Sequence, residues 1–568
     1  MILNAERRSS RTMSGTACCI GRDVFKRWPP AIPMRRTSPS CCKPHAIPLP
    51  WPRPVSASHT MPGGARMADD LQRQQLERAL QACADEPIRY SGAIQPHGYL
   101  VSCDARNGIV QHVSRNCREL FEADPGELIG RDITELILLP LPIIGADDAT
   151  RAAASRAPGY VGTVNLGPQA RFCDVSVHLA QGLLHLEIEP QSGVADVRQP
   201  VELVHDRIAR MGPDAVPDAH VHAHMALHVR ELTGFDRVMV YRFLDDGRGE
   251  VIAESLAEGV LSYLGLRYPA SDIPAQARAL YLCNRVRVIP DVDYVPVPIE
   301  PAQLHDGTAL DLSLHALRSV SPVHLDYMRN MGMAASMSVS IVGDGRLWGL
   351  LACHHRTPRR LPPRHRTAAD LLGMFHSLRV ASMQHLHDAA RKGRTRAIRT
   401  GMIRVLATTP GADVPFTTLL PELRELIAAD AAVHVHDDHA VHDGEPVQPA
   451  TVDALRQWLA GQYGAVVATD TGSDWRDPTG TYAGVLVLRL PAGHAIALLR
   501  REQVHDVDWA GEPVKRLVQT DDGVRLAPRR SFNTWRETVR GYSRPWDRES
   551  LDDAESIAIL LAQALTAT

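Results

Sequence analysis

Polar and ionisable side chains recur between residues 268 and 355, within segments that otherwise have the composition of a protein core. Asp272 lies in Tyr-Pro-Ala-Ser-Asp-Ile-Pro, His324 and Tyr327 lie in Ser-Pro-Val-His-Leu-Asp-Tyr, and His354 lies in Trp-Gly-Leu-Leu-Ala-Cys-His-His. Burying a polar group is unfavourable unless the group is paired. So many of them in one region predict a cavity that holds a polar, conjugated ligand.

Two local patterns position these residues. Ser321 and Pro322 are typical of a helix start, with serine as the N-cap and proline as the first helical residue. His324 and Tyr327 then lie about one turn apart on the same helix face. Asp272 precedes Ile-Pro and a helix that carries Tyr281, so its carboxylate either caps that helix or points into the cavity.

Residues 336–342 and 347–354 form a predicted β-hairpin around Gly-Asp-Gly. Because side chains alternate between the faces of a sheet, the loop length decides which residues share a face. A two-residue loop would separate Ser336 and Ser338 from His354, whereas a three-residue loop would bring them together. We predict the three-residue loop, which gives a single polar wall.

The overall composition is that of a globular protein. The chain has 568 residues and a net charge of −3, which favours three or four domains and gives no general attraction to nucleic acid. No apolar run approaches the about 20 residues that cross a bilayer. The ten cysteines form no CxxC pair, which is typical of a reducing compartment. We therefore predict a cytoplasmic protein without direct membrane or nucleic-acid partners.

Residues 1–66 differ from the rest, with eleven Arg and Lys against two acidic residues and many Pro and Ser. This composition predicts a disordered extension, and our preferred interpretation is a start codon assigned too early, with Met67 as the true start. A transit peptide is the alternative. A zinc site at the paired cysteines is disfavoured by their adjacent spacing, and no metal site is predicted.

The remaining chain is predicted to form three domains of the α+β class, each a central antiparallel sheet flanked by helices. An N-terminal arm and the first domain occupy residues 67–195, the second domain residues 196–385, and the third residues 386–568. A long amphipathic stretch, about 364–406, predicts a helix that joins the last two domains and forms part of a dimer interface.

Two further segments carry motifs. Asp245-Asp246-Gly247-Arg248-Gly249 is similar to an ATP-binding box of histidine kinases, but its position between two strands favours a hairpin turn. Residues 501–540 have weak periodicity over a length that is unusual for a simple loop, which indicates a functional element.

Six motifs occur in the order Cys-x-x-Glu-Pro-Ile, Ile-Gln-Pro-His-Gly, Pro-Ala-Ser-Asp-Ile-Pro, Ser-Pro-x-His-x-x-Tyr, Trp-Gly-Leu-x-Ala-Cys-His-His and Pro-Arg-x-Ser-Phe. From about Met67 to Thr568 the chain resembles the photosensory core of bacterial phytochromes. The resemblance implies PAS, GAF and PHY domains in tandem, and a red/far-red photoreceptor with biliverdin IXα linked through a thioether. It also implies that residues 94–98 thread through a loop of the GAF domain, and that residues 501–540 form the tongue of the PHY domain.

The resemblance also implies roles for individual residues. Cys83 matches the thiol that binds the bilin covalently. The tongue would contact the pocket through Arg529 and Ser531, with Arg529 paired to Asp272 in the dark state. The other residues expected around the bilin bind its propionates, its pyrrole nitrogens or the ring that isomerises: Tyr241, Tyr268, Asp272, Tyr281, Arg287, Arg318, His324, Tyr327, Ser336, Ser338 and His354.

The implied mechanism is light-driven Z/E isomerisation, which breaks a hydrogen bond to His354 and refolds the tongue. We expect a homodimer without enzymatic activity that signals through a kinase or regulator in trans, because only a helix follows the third domain. Three alternatives remain: the input half of a truncated histidine kinase, a GAF-type sensor of a cyclic nucleotide without photochemistry, and a scaffold without chromophore.

Overall fold

The structure is a computed structural model that describes residues 85–139, 141, 144, 159–191, 198–211, 218–407, 414–513, 517–520 and 523–566. Residues 74, 77–79 and 81–82 are also described, and they are helical. The extension 1–66 and Cys83 lie outside the described residues.

The first domain is built on an antiparallel sheet whose central strands, at residues 99–104 and 183–190, are buried along most of their length. Leu128, Val175 and Leu186 belong to its core, which helices cover on one side. Its elements are β1 (Ala93–Ile94), β2 (Tyr99–Asp104), β3 (Val110–Ser114), β4 (Gly159–Leu166), β5 (Arg171–Ala180), β6 (Leu183–Pro190), α1 (Cys117–Phe121), α2 (Pro125–Leu128) and α3 (Ile133–Leu136).

The second domain has a sheet with an apolar core on one face and the candidate site on the other. Val240, Val339 and Cys353 point into the core. Its elements are α4 (Pro200–Arg210), α5 (Val221–Thr233), β7 (Arg237–Phe243), β8 (Gly249–Leu256), β9 (Arg267–Tyr268), α6 (Ala275–Cys283), β10 (Val286–Ile289), β11 (Val297–Glu300), α7 (Pro322–Asn330), β12 (Ala335–Gly343) and β13 (Arg346–His355).

The motif Asp-Asp-Gly-Arg-Gly is a hairpin turn, as predicted. The Leu244 amide donates to the Arg248 carbonyl at 2.8 Å, and the Gly247 amide donates to the Leu244 carbonyl at 2.9 Å. Gly247 has a φ of +80°, a conformation that favours glycine. This geometry assigns the motif to β7–β8 rather than to an ATP site.

The first two domains are interleaved. Strand β11 of the second domain pairs with β1 and with β3, so it belongs to the sheet of the first domain. On the other side of β1, the Gln95 amide donates to the Leu317 carbonyl at 2.7 Å, and the Ser319 amide donates to the Ala93 carbonyl at 3.0 Å. Residues 93–95 are therefore held between two segments of the second domain, where the resemblance implies a threaded chain.

One helix of 45 residues, α8 (Pro363–Ala407), connects the second and third domains, as the long amphipathic stretch predicts. Two buried ion pairs attach its first turn to the first domain. Arg364 Nη2 lies 3.3 Å from Asp174 Oδ1, and Arg366 pairs with Glu189. Breaking one partner of such a buried pair leaves an uncompensated charge, so the start of α8 is fixed by electrostatics as well as by packing.

The third domain has a five-stranded sheet, with the strand at residues 439–444 at one edge and the strand at residues 466–469 at the other. The sequence pattern predicts four of its strands, at residues 432–436, 464–468, 483–490 and 495–500, and a last helix at residues 550–566. It misses the strand at residues 439–444 and the helices at residues 416–427 and 449–460. The elements are α9 (Phe416–Ile427), β14 (Ala431–His436), β15 (His439–Gly444), α10 (Pro449–Ala460), β16 (Val466–Thr469), β17 (Tyr482–Arg489), β18 (Ala495–Arg501) and α11 (Arg548–Thr566).

The tongue consists of two antiparallel strand pairs. β19 (His505–Ala510) pairs with β22 (Thr534–Val539), and β20 (Leu517–Thr520) pairs with β21 (Gly523–Leu526). Trp509 of β19 also pairs in parallel with Arg267 of β9. The tongue thus adds two strands to the edge of the second-domain sheet, next to the candidate site.

Candidate ligand-binding pocket

A cavity of about 220 Å³ lies on the polar face of the second-domain sheet. Packed interiors leave few voids larger than one water molecule, so a space of this size indicates a binding site. Twelve of the residues predicted from the sequence line it: Tyr241, Tyr268, Asp272, Tyr281, Arg287, Arg318, His324, Tyr327, Ser336, Ser338, His354 and Arg529.

The side chains of the polar wall share one face of the sheet, as predicted, but the loop between the two strands does not have the predicted three residues. The turn between β12 and β13 has two residues, Asp344 and Gly345, with φ values of +48° and +72°. The register then shifts by one residue at a β-bulge, because Val342 pairs with Leu347 whereas Ile341 pairs with Gly349. A two-residue turn alone would put Ser336 and His354 on opposite faces, and the extra residue in the bulge returns them to the same face. Ser336 therefore lies directly opposite His354 and shares its face.

Helix α7 presents His324 and Tyr327 to the cavity. Their rings are stacked, with centroids 6.1 Å apart. Ser321 is the N-cap residue and Pro322 the first helical residue, as predicted, although the Ser321 side chain makes no capping hydrogen bond. Instead, the Ser321 hydroxyl donates to Glu86 Oε2 at 3.0 Å. The serine thereby connects this helix to the arm that follows Cys83.

Asp272 points into the cavity rather than capping α6, which settles the choice between its two possible roles. The N-cap of α6 is Pro274, with no side-chain hydrogen bond. The Asp272 carboxylate accepts a hydrogen bond from the Tyr327 hydroxyl at 3.3 Å and forms an ion pair with Arg529. The Asp272 and Arg529 side chains are each only 4% exposed, so the tongue seals this edge of the cavity.

The Arg529 guanidinium is also held by the tongue itself. The guanidinium donates to the Ala510 carbonyl at 2.6 Å. The Arg529 backbone carbonyl accepts a hydrogen bond from Asn330 Nδ2, at the end of α7, at 2.9 Å. Burial alone would lower the pKa of Arg529, but Asp272 and Tyr327 outweigh burial and raise that pKa. Arg529 therefore stays a cation beside Asp272.

Ser531 is not brought to the cavity, in contrast to the expectation from the tongue motif. Its side chain is exposed, and the neighbouring Phe532 is 9% exposed. The Phe532 ring packs edge-on against Tyr327, with centroids 5.0 Å apart. The two residues between the buried Arg529 and Phe532 are both exposed, so Ser531 faces solvent.

Two arginines meet at one end of the cavity without a carboxylate partner. Within the described residues, neither Arg287 nor Arg318 forms an ion pair. Arg287 Nη1 donates to the Ala316 carbonyl at 3.1 Å, and Arg318 Nη1 lies 3.4 Å from the Ile88 carbonyl. Burial, followed by the nearby Arg287 charge, lowers the pKa of Arg318 to about 9. Two close cations on a polar wall are suited to bind the carboxylates of a ligand.

Other buried polar atoms at the cavity also lack partners. Within the described residues, the Tyr268 hydroxyl and His354 Nδ1 make no hydrogen bond. Burial raises the pKa of Tyr241 and Tyr268, so both phenols stay neutral. An unpaired buried polar atom is costly, and these atoms are therefore fitted to hydrogen-bond a bound ligand.

The two histidines predict an acid sensitivity of the ligand-free chain. Burial lowers the pKa of His324 to about 4 and that of His354 to about 3, from an ordinary value of 6.5. As the pH falls below 6.5, the unfolded chain gains protons before the folded one. We expect the free energy of unfolding in urea to fall by roughly 1–2 kcal/mol per histidine by about pH 5.

The variant His324→Gln should reduce this pH dependence, whereas replacing the exposed His220 by glutamine should leave it unchanged. The two variants would be compared at about pH 7.5 and about pH 5 by urea denaturation. An unchanged pH dependence in His324→Gln would contradict the assignment.

Sequence reasoning missed the apolar and N-terminal parts of the cavity. Glu86 and Ile88 line it, so the segment immediately after Cys83 reaches the site. Ala527 and Pro528 line it from the tongue. Pro528 is the first residue of the motif Pro-Arg-x-Ser-Phe, which could have indicated it. No local signal distinguishes the apolar lining residues from ordinary core residues: Met239, Leu280, Ile289, Met328, Met331 and Leu350.

Comparisons with known proteins place this architecture in a family. Three family models match in order: "PAS fold" over residues 83–191, "GAF domain" over 222–378 and "Phytochrome region" over 395–568. A bacteriophytochrome of Xanthomonas campestris is 32% identical over 528 residues, covering 85% of this chain and 78% of the relative. This chain belongs to the bacterial phytochrome family.

Solved phytochrome structures have the same fold. A bacteriophytochrome from R. palustris has a TM-score of 0.70 and 32% identity, covering 86% of this chain and 99% of that one. The photosensory core of the Stigmatella aurantiaca phytochrome gives a TM-score of 0.68 at 32% identity, covering 86% and 98% of the two chains. The three domains thus match a phytochrome photosensory core, a module of red/far-red photoreceptors that bind a bilin.

Other curated phytochromes are longer than the region matched. The bacteriophytochrome of Pseudomonas aeruginosa is 34% identical over 503 residues, covering 85% of this chain, and cyanobacterial phytochrome B of Nostoc is 33% identical over 493 residues, covering 84%. The chain spans 66% and 65% of their lengths, respectively. The three matching models are sensory domains, and no described helix is both long and apolar enough to cross a membrane.

Proposed function

We propose that this chain is a red/far-red photoreceptor that binds biliverdin IXα through a thioether at Cys83. The observation that carries the proposal is the pair of arginines, Arg287 and Arg318, which meet at the cavity without a described carboxylate partner. A bilin has two propionates that would supply the missing charges. Membership of the phytochrome family supports the same ligand class.

The residues that line the cavity fit such a ligand. Ser336 and Ser338 face the same side as Arg287, which is paired with Ser338 across β10 and β12. They would add hydroxyl donors beside the guanidinium groups. Neutral His324 would accept a hydrogen bond from a pyrrole N–H, and the Asp272 backbone carbonyl would serve as a second acceptor. The unpartnered His354 would bind the carbonyl of the terminal ring.

The attachment site is consistent with the path of the arm. Cys83 itself lies outside the described residues, but Glu86 and Ile88 line the cavity. The bond from the Ser321 hydroxyl to Glu86 holds this arm against α7. A thiol three residues before Glu86 is within reach of the cavity, because an extended chain covers about 3.3 Å per residue.

When bound, the bilin supplies a conjugated double bond that isomerises on absorbing red light. The protein holds the propionates fixed through its arginines, while His354 and the tyrosines Tyr241, Tyr268 and Tyr281 surround the region expected to move. The Asp272–Arg529 ion pair excludes water and connects this region to the tongue. A change at Asp272 would therefore bias the tongue between two arrangements.

The output is also part of the proposal. We expect a homodimer that acts on a kinase or regulator in trans, and α8 is the element that would transmit the change from the pocket. The dimer and the partner rest on the resemblance and on the length of α8, which extends 45 residues from the second domain to the third.

The direct test is to produce the full chain with biliverdin and to record absorption spectra after red and far-red light. We expect a covalent pigment that survives denaturation and interconverts between two absorbing forms. The variant Cys83→Ala should lose covalent attachment, whereas Cys283→Ala, a matched change of a half-buried cysteine, should retain it. A chain that binds biliverdin without photoconversion would support the alternative of a non-photochemical sensor and contradict the proposal.

A further inference from the structure

Three histidines meet in the interface between the first two domains, away from the bilin cavity. His178 on β5 and His185 on β6 are directly paired across the antiparallel sheet. Directly opposite residues point to the same face of a sheet. His315 comes from the second domain, in the segment that leads to Leu317 and the threaded residues 93–95. The cluster therefore joins segments that are far apart in sequence.

The cluster is compact and closed to solvent. His178 is 2% exposed, and His185 and His315 are each 0% exposed. The ring centroids are 4.9 Å apart for His178 and His185, 4.3 Å for His178 and His315, and 4.5 Å for His185 and His315. One ring nitrogen from each histidine can be chosen so that all three lie within 4.8 Å of one another.

The ring nitrogens of the cluster are poorly satisfied. Within the described residues, both nitrogens of His178, both of His315, and Nε2 of His185 have no hydrogen bond of normal geometry. His185 and His315 gain only weak interactions with the carbonyls of Ala180 and Leu312. By contrast, His112 of the neighbouring strand is satisfied, since its Nδ1 lies 2.8 Å from the Pro301 carbonyl. The cluster is therefore not an ordinary set of hydrogen-bonded core histidines.

His185 makes a hydrogen bond through one ring nitrogen of the kind that metal-binding histidines make through the nitrogen that does not bind the metal. His185 Nδ1 lies 2.8 Å from the hydroxyl oxygen of Ser102, which is opposite it on β2. This bond fixes the ring and leaves Nε2 as the nitrogen that would bind a metal ion. Metal-binding histidines generally use their second nitrogen in this way.

The alternative is that the three rings pack only as flat, weakly polar groups. That arrangement leaves several buried nitrogen atoms without partners, and each is costly. A single cation would satisfy one nitrogen of each ring. Imidazole sets suit Zn²⁺ and neighbouring transition metals rather than Mg²⁺ or Ca²⁺. Small ring rotations would bring the nitrogens to the about 2.1 Å from zinc that such bonds require.

We propose that His178, His185 and His315 form a structural Zn²⁺ site that ties the first-domain sheet to the second domain, with water as the fourth ligand. The segment after His315 is already fixed, because the Glu187 carboxylate accepts hydrogen bonds from the amides of Leu317 at 2.6 Å and Ala316 at 3.1 Å. Arg318 of the bilin cavity follows directly. The ion would therefore stabilise the interleaved domains next to the propionate end of the cavity.

The test uses the full chain made without biliverdin, because a free tetrapyrrole chelates zinc itself. The chain is stripped with EDTA, loaded with zinc chloride, desalted and assayed for zinc by mass spectrometry. We expect the unaltered chain to retain about one zinc ion more than His315→Gln, and its melting temperature to rise with zinc only when His315 is present. Equal zinc retention in the two chains would overturn the proposal.

Two comparisons keep the test decisive. His376→Gln is the matched control, because His376 Nε2 is paired with His222 Nδ1 at 3.0 Å, and it should retain zinc like the unaltered chain. Should His315→Gln fail to fold, Ser102→Ala keeps all three histidines and should weaken zinc binding by roughly 10–100-fold. X-ray absorption of the zinc-loaded unaltered chain should show imidazole ligands. Zn–S bonds of about 2.3 Å, from the cysteine pairs near the N-terminus, would contradict the histidine site.

Discussion

Replacing Arg529 with alanine is expected to leave biliverdin attachment intact and to remove most of the far-red photoproduct. The residues proposed to attach the bilin lie in the first two domains, whereas Arg529 reaches the cavity from the tongue. Its loss leaves the Asp272 carboxylate buried without its cation. Breaking one partner of a buried ion pair typically costs about 3–5 kcal/mol, which here would fall on the docking of the tongue.

Absorption spectra after alternating red and far-red light measure the photoproduct, and hydrogen exchange of the amides of residues 506–510 measures tongue docking. Arg530→Ala is the matched control, because it removes the same side chain at the adjacent, exposed position. Arg530→Ala should behave like the unaltered chain in both measurements. A normal photoproduct in Arg529→Ala would show that the ion pair does not couple the cavity to the tongue.

The parts of the fold that depend on neighbouring residues could be predicted from the sequence. The turn at Gly247 places glycine at a positive φ, of +80°. Local spacing also predicts Pro322 as the first residue of α7 and the long helix α8. In each case the deciding contacts lie within one or two turns of the same element, where sequence and structure are closely connected.

Register and partner choice could not be derived in that way. The β-bulge beside Trp348 changes which residues oppose each other, yet nothing in the local sequence requires it. The Ser321 hydroxyl selects Glu86, which is 235 residues earlier in the chain, over the nearby backbone amides. The sequence shows the hydrogen-bonding capacity of such a side chain, but its partner depends on how distant segments meet.

The candidate site shows the same division. A polar cavity follows from the composition of residues 268–355, because buried polar groups need partners. The Asp272–Arg529 pair and the tongue follow from the family resemblance, since 257 residues separate the two side chains. Neither the composition nor the family resemblance indicates the histidine cluster. Its members come from a hairpin and a separate segment that only the interleaved fold brings together.

Gly249 is a residue whose importance only the structure reveals. In the sequence it ends the Asp-Asp-Gly-Arg-Gly turn, but its φ is not in the positive range. A Cβ atom at this position would overlap the Tyr241 ring, which lines the cavity. Gly249 is also paired with Tyr268 of β9, so the backbone cannot easily move away. Glycine is therefore required here by the approach of a pocket tyrosine rather than by a turn.

The substitution Gly249→Ala is accordingly expected to displace Tyr241 into the cavity and to reduce biliverdin binding severely. Overpacking of this kind typically destabilises a protein by about 1–3 kcal/mol. Thermal unfolding and the ratio of bilin to protein absorbance would measure the two effects. Tyr241→Ala combined with Gly249→Ala should recover stability relative to Gly249→Ala, because the small side chain leaves room for the new methyl group.

Gly343→Ala provides the matched control for this substitution. It also places alanine at a strand glycine of the second domain, but the nearest atom to the new Cβ would be Gln384 Oε1 at 3.8 Å, an ordinary contact. It should therefore keep both stability and bilin binding. If Gly249→Ala behaved like Gly343→Ala, the Tyr241 ring would have to be free to move, and its proposed role in confining the bilin would be wrong. The stability of the double variant thus tests the steric cause, and the bilin ratio tests its consequence for the cavity.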